Sequence, residues 1–302
     1  MRNDLEFRAT DGTILRGWHF RPPTATVVPT IIICPGFSMV KEMGLDWLAE
    51  HFAEASLAAL VFDHRNLGAS DGSPRSEIDP LQQIRDIRDA ITFAETLPGT
   101  DLDRIGLWGT SYGGAHALVV SAIDRRVKCV SVQVPTVSGH KNLRSAVPQA
   151  QLPEMRKGFD EDRRGRMSGR PPVTIPIVAE DPSSRCLFPG RDTWEYFNSL
   201  TSNSTKTWRN EITLRSVEYY TEYEPGIYVP YISPTPLQMI VALNDVIAPP
   251  ELTLAVYENA LHPKKLVTLR NGHFEPQGPG GSDSIAAMEA ARDWFVQHLM
   301  RT

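Results

Sequence analysis

Short, almost unbroken apolar runs recur along this 302-residue chain, and helix-like segments separate them. They are TIIICPGF from Thr30, LAALVFDH from Leu57, RIGLWGT from Arg104, VKCVSVQV from Val127, PLQMIVALND from Pro236 and KKLVTLRNGH from Lys264. A strand with no polar alternation has to be buried on both faces, and strands that alternate with helices pair in parallel. The pattern predicts an α/β fold, a mostly parallel twisted sheet with helices on both faces. Ahead of it, LEFRAT and ILRGWHF flank Asp11-Gly12 and read as an antiparallel hairpin.

Two of the intervening helices can be drawn from spacing. In LQQIRDIRDAITFAETLPG the residues Leu81, Ile84, Ile87, Ile91 and Ala94 recur at helical intervals, and Pro98-Gly99 ends the run. From Ser282 to Leu299 the positions Ile285, Met288, Ala291, Trp294 and Phe295 do the same. The alternation fails over residues 136–234, which hold a charged helix (PEMRKGFDEDRRGRM), a proline-rich piece (RPPVTIPIV) and an aromatic-rich piece from Trp194 to Tyr231. We expect this stretch to be an inserted, mainly helical cap lining the substrate pocket, with residues 1–135 and 235–302 as the core. Six of the eight tyrosines fall between Tyr196 and Tyr231, so this insert is the expected pocket wall; rings that merely glue it to the core are the alternative.

Charge narrows the function. A formal net charge of −5 with no concentrated basic segment argues against nucleic acid or an anionic membrane as partner. A small neutral or weakly charged molecule is the expected ligand. No run reaches the roughly 20 apolar residues that a membrane span needs, and the N-terminus has no signal-peptide pattern. Cys34, Cys129 and Cys186 cannot all pair within one chain and lack metal-ligand spacing, so free thiols, no metal and a cytoplasmic location are expected.

The chemistry centres on RIGLWGTSYGGAHALVV, where a strand breaks at glycines and resumes as a helix. Gly109-Thr110-Ser111-Tyr112-Gly113 is G-x-S-x-G in the strand–turn–helix setting that the motif requires. The sharp turn projects the Ser111 hydroxyl into a cleft, and its crowded backbone leaves room only for glycine at Gly109 and Gly113. A serine hydroxyl needs a base, itself oriented by an acid. Asp245 closes one apolar run and His273 closes the next, which puts the residues in the order Ser, Asp, His. In that scheme His273 takes the Ser111 proton and later returns it to the leaving group, while Asp245 fixes the tautomer and stabilises the imidazolium.

Other candidates are weaker. Asp63 also ends a strand but precedes the serine, and is expected to brace its loop with a neighbour such as Arg65. Asp181 lies in the insert. His116 is one turn past Ser111, where it cannot reach over the elbow, and His64 in FDHRN has a structural loop role as its first expectation. Cys34 is expected to be a buried, inert thiol. The charge run from Arg156 to Arg170 reads as a solvated face.

With GTSYGG for the elbow, ALNDVIAP for the acid, NGHF for the base and FDHRNLGASDG for the loop after the second buried run, the chain resembles an α/β-hydrolase over nearly its whole length. The resemblance implies an oxyanion hole from the backbone N–H groups of Phe37 and Tyr112. Where the family commonly has His-Gly, this chain has Pro35-Gly36-Phe37. Within the superfamily, PGFSMVKEM, FDHRNLGASDG and SEIDP are similar to the cap-bearing polyketide transferases and thiohydrolases. That similarity implies an acyl ester or thioester as the small-molecule substrate, no cofactor, and transfer of the acyl group to water or an alcohol.

The expected function is therefore a serine hydrolase working through an acyl-enzyme. An acyltransferase using an alcohol or amine as acceptor is the second reading, and a non-catalytic binder on the same fold is the third. Haloalkane and epoxide chemistry is disfavoured because those relatives carry Asp at the elbow. A homodimer through the cap or an edge strand stays open.

Overall fold

Each apolar run folds as a strand of one eight-stranded sheet. The structure is a computed structural model and describes residues 1–23, 27–201 and 205–300. Residues 202–204 of the expected cap and 24–26 and 301–302 of the expected core lie outside the described residues. The strands are β1 (Arg2–Arg8), β2 (Ile14–Phe20), β3 (Val28–Cys34), β4 (Ala58–Phe62), β5 (Thr100–Thr110), β6 (Val127–Gln133), β7 (Leu237–Ala242) and β8 (Lys264–Leu269). Their spatial order is β1-β2-β4-β3-β5-β6-β7-β8. β2 runs antiparallel to β1 and β4, and all other pairings are parallel.

Burial explains the sequence pattern. All residues of β3, β4 and β7 are buried, as runs without polar alternation require. The outer strands β1 and β8 are largely open to solvent and carry Arg2, Asp4, Glu6 and Arg8 or Lys264 and Lys265. Charged side chains on an edge oppose pairing with a further strand.

The helices of the sheet are α1 (Leu45–Glu54), α2 (Pro80–Ala94), α3 (Ser111–Ile123), α8 (Pro250–Glu258) and α9 (Ser282–Leu299). α2 starts where Asp79 accepts the N–H groups of Leu81 and Gln82 at 2.9 and 3.3 Å, with Pro80 as its first residue. Its apolar stripe differs from expectation at one end. Ile84, Ile87, Ile91 and Ala94 are buried, but Leu81 is 60% exposed; in α9, likewise, Ile285 is 43% exposed while the other four positions are buried. Both exceptions stand in the first turn, so each stripe begins one turn later than its spacing suggests. α1 begins at Gly44 with no side-chain cap, so its start carries no local signal.

Between β6 and β7 the chain forms α4 (Gly139–Ala146), α5 (Leu152–Met167), α6 (Arg191–Thr201) and α7 (Leu214–Glu222). Two small two-stranded sheets accompany them, pairing Thr174–Ile175 with Ile212–Thr213 and Val178–Ala179 with Phe188–Pro189. α3 is buried from Ser111 to Ala122. A helix apolar on all sides has to be covered on all sides, and α3 packs on β5 and β6 on one side and on residues 225–231 on another.

Candidate active site

Strand order positions the site. The chain leaves β3 toward β4 on one side and leaves β5 toward β6 on the other, so the connections that follow these two paired strands diverge at their C-terminal ends. Clefts for ligands in open parallel sheets form at such switch points. Cys34, the last residue of β3, pairs with Gly109 of β5, which places Pro35-Gly36-Phe37 beside Ser111. Ser111 itself has φ 52°, a left-handed conformation that a non-glycine residue adopts only where its surroundings enforce it. The crowding is visible at both glycines. A Cβ on Gly109 would lie 2.4 Å from the Gly113 carbonyl oxygen, and one on Gly113 would lie 2.1 Å from that of Cys34.

Ser111, His273 and Asp245 meet although they come from three separate strand ends. His273 Nε2 lies 3.0 Å from Ser111 Oγ, and its Nδ1 lies 2.7 Å from Asp245 Oδ2. The other carboxylate oxygen, Oδ1, accepts the backbone N–H groups of Ile247 and Ala248 at 2.8 and 2.7 Å. The carboxylate is thus held on both sides and can point only one oxygen at the imidazole. The three residues are 9, 5 and 5% exposed. Gln277 donates from Nε2 to the His273 carbonyl oxygen at 2.9 Å and holds the loop that carries the histidine.

Tyr112 stands in the first turn of α3, where backbone N–H groups have no acceptor within the helix. Phe37 lies against it, the two rings meeting edge to face at 5.1 Å. The loop bearing Phe37 is pinned from below. Asp63 accepts from the Lys41 backbone N–H at 2.8 Å and from Lys41 Nζ and the Ala69 N–H at 2.7 and 2.8 Å. Asp63 does brace a loop, but through Lys41 and not through Arg65. Arg65 instead grips Asp86 of α2 with two bonds of 2.7 and 2.5 Å and reaches Asp11 at 2.6 Å.

The remaining candidates fall outside the site. His116 is fully buried between Tyr223 Oη (3.0 Å from Nδ1) and Gln83 Oε1 (2.9 Å from Nε2). His64 is buried between the rings of Phe62 and His116. Asp181 bonds Ser183. Cys34 and Cys129 are buried free thiols, and burial pushes both well above the usual thiol range.

Above Ser111 lies a small cavity of about 20 Å³, room for about one water. Its walls include Phe37, Phe188, Phe197 and Phe274 beside Ser111 and His273. The sequence pointed to the aromatic piece from Trp194 to Tyr231, which contains Tyr196 and Phe197, as the pocket wall, but did not single out Phe188, Phe197 or Gln277. Only NGHFEPQG, with Gln277 four residues past His273, carries a local signal; the other two come from the insert.

Burial also predicts a pH response. It pushes the His64 imidazole down to about 3, and His116 well below the ordinary histidine value. A folded-state value below the unfolded one means that the stability is fully present above pH 6.5 and declines as the pH falls from there. His64 alone removes about 1.4 kcal/mol per pH unit, for an upper figure of about 2 kcal/mol at pH 5, and His116 acts in the same direction. Denaturant midpoints measured between pH 7.5 and 5 should fall steadily below pH 6.5. A flat profile would contradict the burial of these two rings.

A model of the alpha/beta hydrolase fold matches residues 29–275. The chain belongs to the α/β-hydrolase family. This α/β hydrolase is 33% identical to a thiohydrolase of Eupenicillium brefeldianum over 96% of its own length and 92% of the relative's. It is also 33% identical to the polyketide transferase grgF of a Penicillium species, over 91% of its own length and 90% of the relative's. The crystal structure of GrgF matches it with a TM-score of 0.85 at 30% identity, covering 100% of both chains. The structure of DcsB in complex with its substrate analogue matches with a TM-score of 0.86 at 27% identity, over 99% of this chain and 100% of that one. This α/β hydrolase is an enzyme of the group that holds thiohydrolases and polyketide transferases.

Proposed function

We propose that this enzyme cleaves an acyl ester or thioester through an acyl-enzyme on Ser111, with water as the final acceptor. The observation that carries the reading is the chain of hydrogen bonds from Ser111 Oγ through His273 to Asp245, beneath a small, mostly apolar cavity. His273 Nε2 takes the hydroxyl proton as Oγ attacks the substrate carbonyl, and Asp245 stabilises the imidazolium that forms. The N–H groups of Phe37 and Tyr112 stabilise the oxyanion. Collapse of the tetrahedral intermediate expels the thiol or alcohol, which takes its proton from His273. Water then attacks the acyl-enzyme by the same steps in reverse roles.

In this reading residues 136–234 act as a cap. Phe188, Tyr196 and Phe197 come from that stretch and line the cavity, while Tyr220 packs its ring 5.9 Å from that of Phe37. Space for about one water over Ser111 means that part of the cap has to shift to admit a substrate. Transfer to an alcohol or amine is a second reading, favoured by the phenylalanine lining that keeps bulk water from the acyl-enzyme. The relative named polyketide transferase is consistent with it.

The test is intact-mass analysis after a fluorophosphonate, peptide mapping of the adduct, and product analysis with thioesters plus alcohol and amine acceptors. One adduct on Ser111 with free acid as product supports hydrolysis; acylated acceptor as the main product supports transfer. Neither adduct nor turnover would defeat both and favour a binding protein.

A further inference from the structure

The cavity over Ser111 is bordered by a tyrosine that the acyl-transfer steps do not use. Tyr196, from α6, lines this cavity together with Gly36, Phe37, Ser111 and His273. Its ring stacks on Phe274 at 4.5 Å and meets Phe197 edge to face at 5.5 Å, so packing from two sides fixes its position. Its Oη is buried and has no hydrogen-bond partner among the described residues. Nearly all buried polar atoms in folded proteins have a partner, and one without a partner calls for an explanation. The cavity that Tyr196 lines takes about one water, so admitting a substrate there requires the wall that holds this ring to shift. Burial pushes the phenol well above its usual range, so the group stays protonated and offers its O–H as a donor.

We propose that Tyr196 is a specificity-determining residue whose hydroxyl donates a hydrogen bond to a carbonyl or hydroxyl oxygen of the substrate other than the carbonyl under attack. The proposal rests on Ser111 being the nucleophile and deepens that reading by defining the substrate class. A bare hydrocarbon acyl group would leave the hydroxyl unpaired in an aromatic wall, whereas an oxygen-bearing substrate would satisfy it. Sites built around a buried donor discriminate strongly against ligands that lack the acceptor. Two parts of a substrate can supply that oxygen, the acyl chain or the leaving group, and matched substrates separate them.

The experiment compares the intact enzyme with Tyr196→Phe on S-phenyl hexanoate, on S-phenyl esters of 3-oxo-, 3-hydroxy- and 5-oxohexanoate, and on the N-acetylcysteamine thioester of hexanoate. The first has no second oxygen, the next three carry one on the acyl chain, and the last carries one on the leaving thiol. Loss of the hydroxyl should lower kcat/KM for at least one oxygen-bearing substrate by about 10-fold or more relative to its effect on S-phenyl hexanoate. The responding substrate identifies where the oxygen sits. An equal loss on all five, or no loss on any, overturns the proposal. Ser111→Ala on S-phenyl hexanoate is the independent control: turnover that survives it defeats the nucleophile reading, whatever Tyr196→Phe does.

Discussion

Replacing Ser111 by alanine is expected to lower acyl turnover by on the order of 10⁵- to 10⁶-fold, because it removes the atom proposed to form the acyl-enzyme. The fold should be indifferent to the change. Ser111 Oγ bonds His273, and the residue's structural work is done by its backbone, whose carbonyl oxygen accepts from Thr136 N–H at 3.1 Å. Alanine and serine are about equally strained at a φ of 52°, so the elbow keeps its shape. The two backbone donors implied for the oxyanion stay in place and should sustain a residual rate above the uncatalysed one. In the proposed mechanism Ser111 and His273 act as a unit, so the double variant Ser111→Ala/His273→Ala should lose no more than either single one. Measurement of kcat/KM on a thioester, with thermal unfolding as the control for folding, decides the matter; near-native turnover by folded Ser111→Ala would sink the mechanism.

Asp245→Asn should cost on the order of 10⁴-fold in kcat while changing almost nothing in the structure. The reason lies in how the carboxylate is held. Oδ1 accepts two backbone N–H groups, from Ile247 and Ala248, so an asparagine has to turn its carbonyl oxygen toward them and its NH₂ toward His273. That NH₂ donates to Nδ1 and forces the imidazole proton onto Nε2, the nitrogen that faces Ser111 Oγ. A protonated Nε2 cannot take the hydroxyl proton. The variant should therefore retain substrate binding and lose the chemical step, seen as a fall in kcat with little change in KM when chemistry limits turnover. Activity within a few-fold of wild type would show that Asp245 does not set the tautomer.

A large part of this molecule was legible in its sequence, for a local reason. The runs TIIICPGF and LAALVFDH have no polar alternation, which only a strand covered on both faces tolerates, and both lie at the centre of the sheet. GTSYGG declares itself because the turn admits no side chain at Gly109 or Gly113, a demand of the backbone within five residues. Asp245 and His273 stood out because each follows a readable strand, and strand ends in a parallel sheet share one edge. The helix stripes were legible except in their first turns, where Leu81 and Ile285 face water.

What spacing could not reveal depends on elements far apart in the chain. Arg65 is the expected partner of Asp63 on sequence, but the loop after β3 folds back over β4, which buries Lys41 on the carboxylate and leaves Arg65 to α2. His116 looked like a neighbour of the nucleophile. Tertiary packing turns it instead into a satisfied core histidine between Tyr223 and Gln83. The wall over Ser111 is the clearest case: Phe188, Tyr196 and Phe197 have no periodic relation to the elbow, and their place above it follows from the path of residues 134–236 between β6 and β7. Sheet class, elbow and the order of Ser111, Asp245 and His273 were thus determined by short-range patterns and backbone sterics. The aromatic enclosure, and a Tyr196 hydroxyl with no partner among the described residues, were decided only by contacts between distant segments, where many side-chain patterns satisfy the same burial.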